Sequence, residues 1–261
     1  MARLTIDGRS TEAREGATVL EVARSAGVEI PTFCHHDALR PFGACRLCVV
    51  EVEGPALPRT VLTACTLPAS EGLVVDTSTP SLQLYRSTIV QLLLSSLAPS
   101  DQLSALGRRF GVETPAFRND RPDPCALCGL CVRACRDRIG AGAITLRGDG
   151  RRSSSVAERI ALDPAECVGC GTCATLCPVG AIAVEDRGSQ RTVSLYGEVV
   201  ARFDLLPCAV CGEPTTTRRF RELVVSRLDE SLRRAALDLC PGCARGHHAR
   251  ALTGTALALE G

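Results

Sequence analysis

Sixteen cysteines in a chain of 261 residues fall into four sets whose spacing suits metal ligation. Two sets share one rhythm: "CALCGLCVRAC" runs from Cys125 to Cys135, and "CVGCGTCATLCP" from Cys167 to Pro178. Each reads Cys, two residues, Cys, two residues, Cys, three residues, Cys, with glycine straight after the second cysteine. That run, closed by Cys-Pro in the second copy, is one that binds [4Fe–4S] clusters. A tight loop wraps three thiolates round one corner of a cubane, and the fourth cysteine, a helical turn further on, reaches the neighbouring cluster. The duplication therefore assigns Cys125, Cys128, Cys131 and Cys177 to one cluster, and Cys167, Cys170, Cys173 and Cys135 to the other. The repeat continues past the ligands: Ala143-Ile144 matches Ala181-Ile182 after four extra residues, and Arg136 stands where the second copy has proline. Zinc knuckles or disulfides are the alternative, which eight cysteines in this phase disfavour.

The N-terminal set is Cys34, Cys45, Cys48 and Cys65, with intervals of ten, two and sixteen residues. Plant-type [2Fe–2S] spacing opens with a four-residue interval, so this loop is of another kind. Its context, "IPTFCHHDALRPFGACRLCVVEVEG", resembles the [2Fe–2S] domain of the large iron–sulfur subunit of respiratory complex I. The same domain occurs in diaphorase iron–sulfur subunits of NAD-linked hydrogenases, in related formate dehydrogenases and in iron-only hydrogenases. Pro31 to Cys34, His36, Gly43 to Cys48, Glu51 and Cys65 carry the resemblance. It implies that the four cysteines bind one [2Fe–2S] cluster. The interval before Cys65 is somewhat longer than the family's, a difference a loop absorbs. His35 and His36 raise a Rieske-like reading, in which imidazoles replace two thiolates. With four cysteines present, they are read instead as loop residues beside the cluster, tuning its potential by hydrogen bonds.

In that family two [4Fe–4S] motifs follow the [2Fe–2S] domain, so the resemblance extends over residues 1–190. It departs in one place. The family's His-plus-three-Cys cluster has no counterpart, because residues 66–124 contain neither His nor Cys. The resemblance implies a flavin-containing NAD(P)H-oxidising subunit as one partner and a hydrogenase, formate dehydrogenase or similar redox subunit as the other.

Cys208, Cys211, Cys240 and Cys243 form the last set, two Cys-x-x-Cys turns ("CAVCGE" and "CPGCAR") separated by 28 residues. Facing turns of this kind make a closed four-thiolate tetrahedron, the geometry of structural zinc. Rubredoxin-like iron uses the same ligands, so the metal stays open between zinc and iron. A similar knuckle pair on ferredoxin-like subunits of some hydrogenase and formate-hydrogenlyase complexes is a weaker resemblance. His247 and His248 follow and are read as surface residues. No cysteine is left for nucleophilic work, and neither G-x-G-x-x-G nor a P-loop occurs, so a nucleotide or flavin would bind on another chain.

Composition points to small stapled modules. With no Trp, two Tyr and six Phe, the chain lacks anchors for one large core. There is no N-terminal apolar stretch of signal-peptide length, and the run from Thr88 to Leu97 is too short to span a bilayer. The expected compartment is the cytoplasm, where clustered cysteines bind metal rather than pair. Thirty basic residues, all arginine, against 29 acidic ones leave no basic footprint for nucleic acid. The arginine pairs at 108–109, 151–152, 218–219 and 233–234 are read as solvated surface or partner contacts, and the absence of lysine as genome composition.

The elements that must position these cysteines follow from local signals. A hairpin over 3–14 turns on Asp7-Gly8. "TVLEVARSAG" is a helix opened by a Thr18/Glu21 capping box and stopped at Gly27. "RLCVVEVEG" and "GLVVDTS" are valine-rich strands. The expected fold class is α+β, in four stretches. A β-grasp [2Fe–2S] ferredoxin domain spans 1–79, and a helical connector led by "SLQLYRSTIVQLLLSSLA" spans 80–120. A bacterial-type two-[4Fe–4S] ferredoxin domain spans 121–190, with a loop at 147–155. A zinc-ribbon-like four-cysteine module spans 191–261, with strands over 191–207 and an amphipathic helix over 218–239. The expected function is an iron–sulfur electron-transfer subunit within a hetero-oligomer. A metal- or redox-sensing regulator and a free-standing multi-cluster ferredoxin are the alternatives.

Overall fold

The computed structural model describes residues 1–117, 119–120, 122–147, 159–229 and 239–246. Strands β1 (Ala2–Ile6) and β2 (Arg9–Ala13) pair antiparallel with Ile6 opposite Arg9. Their two-residue turn puts both Asp7 and Gly8 at positive φ, +47° and +77°, the primed-turn geometry that matches strand twist. The Asp7 carboxylate then accepts from the Thr77 backbone (2.7 Å) and hydroxyl (2.6 Å), tying the turn to the chain just past the neighbouring strand Val74–Asp76.

Helix α1 (Val19–Ser25) opens with the expected capping box. The Glu21 amide donates to the Thr18 hydroxyl (3.3 Å), and the Thr18 amide donates to the Glu21 carboxylate (2.8 Å). Its apolar face, Val19, Leu20, Val22 and Ala23, is buried on a sheet completed by β3 (Val49–Gly54), β4 (Leu57–Thr63) and β5 (Val74–Asp76). The strand order is β2-β1-β5-β3-β4, with β1 parallel to β5 and the other pairs antiparallel. One helix across a mixed sheet is the grasp-like layout expected for this part of the chain.

The connector is a packed layer. Helix α2 (Pro80–Ser96) has Thr79 as N-cap and Pro80 at its first position, where a missing N–H costs nothing. Helix α3 (Asp101–Arg109), capped by Ser100, folds back on it. Together they bury Leu47, Val90 and Val112, with Phe33 at the edge of that cluster. Buried Arg86 on α2 donates to the Val49 carbonyl (2.6 Å) and the Thr77 carbonyl (2.9 Å), seating the helix on β3 one residue after Cys48.

The paired motifs build two similar halves. Helix α4 (Leu130–Arg133) runs on as a π-helical turn over Ala134–Ile139, and its counterpart α5 (Thr172–Leu176) stops at Cys177. The matching Ala-Ile pairs are buried in both halves and lead into β6 (Ile144–Arg147) and β8 (Ile182–Arg187). β6 pairs with β7 (Arg159–Leu162). β8 starts an antiparallel sheet that continues through β9 (Gln190–Leu195), β10 (Glu198–Pro207) and β11 (Pro214–Thr217). The sheet is thus continuous across residue 190, and the strands expected over 191–207 hang on the second cysteine half. Helix α6 (Arg218–Ser226) follows β11 and covers only the start of the helix expected over 218–239. Residues 230–238, most of the loop at 147–155, the arginine pairs at 151–152 and 233–234, and His247 and His248 lie outside the described residues. Among the described residues no helix is long and apolar enough to cross a membrane.

Candidate metal centres

Three stretches deliver the first set of thiols. Cys34 lies in the loop after α1, Cys45 and Cys48 lead into β3, and Cys65 follows β4 directly. Cys34, Cys48 and Cys65 are each 1% exposed and Cys45 is half-buried. The thiols interact in pairs. A hydrogen bond from the Cys45 thiol, reinforced by the Cys45 and Ala44 amides and by the charge of Arg133, pulls the Cys34 pKa down to about 6, and the same contact pushes Cys45 up. Cys65 does the same for Cys48, which falls to about 7 while Cys65 rises. Four thiols that repel one another's second charge in a dry pocket are a site that a cation cluster would neutralise.

Of the neighbouring histidines, His36 is exposed and its Nδ1 accepts from the Ala38 amide (3.1 Å). The His35 side chain is buried and its Nε2 faces Asp37 (3.2 Å). Burial, with the charge of Arg24 next, lowers its pKa, so it stays neutral near pH 7.

The second and third sets lie around one shared core. Burial is the main cause that raises Cys128 to about 11 and Cys131 to about 12, and charges on Cys125 and Cys177 add to both. Burial likewise raises Cys173 to about 12, with Cys170, Cys167 and Cys135 as the charged neighbours. Cys177, from the second motif, packs in one cluster with Cys125 of the first, and Cys135 lines a cavity with the second motif's cysteines. An apolar cavity lined by Cys135, Cys167, Cys170 and Cys173 together with Ile144 and Val193 lies at the third set. The glycines after each second cysteine, Gly129 and Gly171, take φ of +69° and +81° and form the N-caps of α4 and α5. Only a left-handed residue turns the chain from loop to helix there, which is why the motif carries glycine at both places. Backbone amides point at sulfur, Leu127 to Cys125 (3.4 Å) and Ala181 to Cys177 (3.2 Å).

The fourth set joins the end of β10 to a short helical stretch over 241–246, with Cys240 just before it. All four sulfurs of Cys208, Cys211, Cys240 and Cys243 lie within 4.8 Å of one another, and Cys211 and Cys240 are 3.7 Å apart. A tetrahedral ion 2.3 Å from each sulfur sets S···S separations of roughly 3.8 Å, so the cage has the right size. The Cys211 and Cys240 amides are the leading cause that lowers Cys208 to about 6.

Arginines hold these loops, a feature the cysteine pattern does not announce. Arg133 is buried between the first and second sets, donating to the carbonyls of Cys34 (2.7 Å) and Cys128 (3.4 Å). Arg191 donates to Gly169 (2.9 Å) and forms a two-pronged pair with Asp186 (2.7 Å on each prong). Arg219, from a pair read as solvated surface or partner contact, is exposed and also donates to the carbonyls of Pro164 (2.9 Å), Ala165 (3.0 Å) and Cys167 (3.2 Å). Thr217 adds a bond to the Val168 carbonyl, so β11 and α6 grip the third set's loop from the C-terminal side.

Comparison with known proteins agrees with these sets. A 2Fe-2S iron–sulfur cluster binding domain matches residues 1–80, and a 4Fe-4S dicluster domain matches residues 124–181. A subunit of the NADH-quinone oxidoreductase of Rhizobium meliloti is 32% identical over 209 residues, which is 70% of this chain and 24% of the relative. NADPH-Fe(3+) oxidoreductase subunit alpha of Geobacter sulfurreducens is 32% identical over 207 residues, with the same coverage of 70% and 24%. NADP-reducing hydrogenase subunit HndD of Solidesulfovibrio fructosivorans is 31% identical over 215 residues, covering 70% of this chain and 36% of its own. The chain thus spans about a quarter to a third of the length of these curated relatives. A chain of a solved NAD+-reducing [NiFe]-hydrogenase in the H2-reduced state aligns over 89% of this chain and 98% of its own, with a TM-score of 0.57 and 26% identity. That span is too long to stop at residue 190 and takes in part of the C-terminal region. By these matches the chain is a homologue of subunits of NADH-quinone oxidoreductase and of NAD(P)-linked oxidoreductases and hydrogenases, and it carries a 2Fe-2S domain followed by a 4Fe-4S dicluster domain.

Proposed function

We propose that the chain is an iron–sulfur electron-transfer subunit. It relays electrons between a flavin-containing NAD(P)H-oxidising subunit and a redox partner of the hydrogenase or formate dehydrogenase kind, in the cytoplasm. What supports this reading is the packing of Cys177 with Cys125 and of Cys135 beside Cys167, Cys170 and Cys173, an exchange between the two motif loops that a pair of separate zinc knuckles does not need. Cys34, Cys45, Cys48 and Cys65 would hold one [2Fe–2S] cluster. Cys125, Cys128, Cys131 and Cys177 would hold a [4Fe–4S] cluster, and Cys167, Cys170, Cys173 and Cys135 a second. Such groups, when bound, accept and release single electrons without bond chemistry in the protein.

What the chain's own residues do is hold and insulate. Buried Cys34, Leu39, Cys128, Leu130 and Ala134 pack in one cluster, which fixes the first two sets side by side. Cys131, Ile144, Ile160, Ile182 and Val193 line the common core of the second and third sets and keep water from it. By this packing the sets stand in the order [2Fe–2S], first [4Fe–4S], second [4Fe–4S]. We assign Cys208, Cys211, Cys240 and Cys243 to a structural zinc, because the cage is closed and all-sulfur. The zinc-ribbon-like module would then begin within the sheet of β8 to β11, and the boundaries at 79, 120 and 190 are proposed as limits of cysteine sets.

The test is metal content and EPR of the chain purified without oxygen. About ten irons and about one zinc per chain, with [2Fe–2S] and [4Fe–4S] signals on reduction, are expected from the ligand count. Few irons with several zincs would overturn the relay and favour a sensor.

A further inference from the structure

A buried charge normally has a partner of opposite sign. Arg133 is 5% exposed, and among the described residues no carboxylate lies within ion-pair distance of it; Asp137, one turn on, feels its charge from further away. The Arg133 donors go to backbone carbonyls instead. Nη1 bonds Arg40 (2.5 Å), Nη2 bonds Cys34 (2.7 Å) and Cys128 (3.4 Å), and Nε bonds Gly129 (3.2 Å). The Phe42 ring lies 5.3 Å from the guanidinium carbon. Two of these carbonyls belong to the N-terminal cysteine loop and two to the first motif of the dicluster domain. One side chain therefore spans the junction between residues far apart in sequence.

Arginine stays protonated at any ordinary pH, so the junction holds a fixed positive charge with little water to screen it. One-electron reduction of a cluster adds one unit of negative charge and no proton. A fixed cation nearby favours that reduced state, and net charge, hydrogen bonding and burial are among the levers that set such potentials.

We propose that Arg133 is a positioning residue for electron transfer between the [2Fe–2S] and first [4Fe–4S] sites: its unpaired buried charge raises the reduction potential of the [2Fe–2S] site, and its four carbonyl bonds fix the separation of the two loops. The inference rests on the assignment of the cysteines as cluster ligands. A surface arginine provides the contrast. Arg138 also donates to the N-terminal loop, at the Ala38 carbonyl, yet it is exposed, so solvent screens its charge.

The experiment is an EPR-monitored redox titration of the full chain, purified without oxygen, as wild type, R133Q, R133K and R138Q. In R133Q the [2Fe–2S] midpoint is expected to move to lower potential. In R133K, which keeps the charge but not the planar fork, the midpoint is expected to stay near wild type. Magnetic broadening between the reduced [2Fe–2S] and [4Fe–4S] signals is expected to weaken in both Arg133 variants, and R138Q is expected to match wild type throughout. An R133Q midpoint no lower than that of R138Q overturns the proposal. Should R133Q fail to load clusters, R133K decides: a wild-type midpoint sustains the charge role, and a lowered one overturns it. A wild-type chain without any [2Fe–2S] signal shows that the ligand assignment, not the role of Arg133, has failed.

Discussion

Replacing Gly169 with alanine tests how tightly the C-terminal side grips the third cysteine set. Gly169 lies between Cys167 and Cys170 at φ +67°, and a Cβ there would sit 2.8 Å from Phe203 Cδ2 and 2.8 Å from Thr217 Cγ2. Thr217 is 1% exposed and hydrogen-bonded to the Val168 carbonyl, so it has nowhere to retreat. Forcing alanine into the left-handed region costs about 1–2 kcal/mol, and overpacking adds about 1–3 kcal/mol. Gly188 is the matched control: its φ is +57°, but its Cβ would meet nothing within 4 Å. G188A should lose only the conformational part. At about 2–4 °C per kcal/mol for a chain of this size, G169A should melt several degrees below G188A, measured by circular dichroism on anaerobic protein. Iron analysis and EPR should show the loss falling on the second [4Fe–4S] signal. Equal melting of the two variants, with equal iron, would falsify the close contact with Phe203 and Thr217.

Three further outcomes are expected. C135S should remove the [4Fe–4S] signal tied to Cys167, Cys170 and Cys173 while C177S removes the other, so the two EPR spectra should differ in which signal survives. Loss of the same signal in both would break the crossed assignment. Cys211 is exposed, so a soluble chelator should extract the metal at the four-cysteine cage before any iron, and C211S should lack that one metal at the outset while retaining its iron. T18A should lower stability by about 1 kcal/mol in denaturant titrations. The Thr18 amide, chief among several bonds, depresses the pKa of Glu21 from its ordinary 4.5. A depressed carboxylate stabilises the fold above its unfolded pKa and loses that contribution as pH falls through the folded value. T18A keeps that amide and loses only the hydroxyl's smaller share (3.2 Å), so its acid limb below about pH 4.5 should be only slightly shallower than that of wild type.

The cysteine sets were legible because ligand spacing is a local code, as were the Asp7-Gly8 turn and the Thr18/Glu21 cap. Helix α3 carries a fainter signal: Ser100 and Asp101 open it, and Leu103 and Leu106 recur on its inner face. The prolines around it mask that pattern. β4 is harder, because "LPRTVLT" gains strand geometry from its pairing with β3, a tertiary fact. The continuity of the β8–β11 sheet through residue 190 is hidden for a similar reason. β8 follows its cysteine motif so closely that spacing assigns it to the cluster, while hydrogen bonding assigns it to the C-terminal sheet. Arg133 and Arg219 carry no sequence signal at all, since nothing in composition says which carbonyl a guanidinium will find.

Those arginines give the all-arginine composition a physical reading. A cysteine loop that wraps a cluster forms no ladder, so its carbonyls need other donors when buried. Arg86 supplies them behind Cys48, Arg133 beside Cys34 and Cys128, Arg191 at Gly169, and Arg219 along Pro164 to Cys167. A planar fork of five N–H groups can bond two or three carbonyls on different strands at once, whereas a lysine ammonium is a single point. Each of these side chains comes from a different element than the loop it holds, or joins two loops. The arginines therefore stitch the modules together at the very places where the cysteines gather, so the same side chains supply both cohesion and positive charge there.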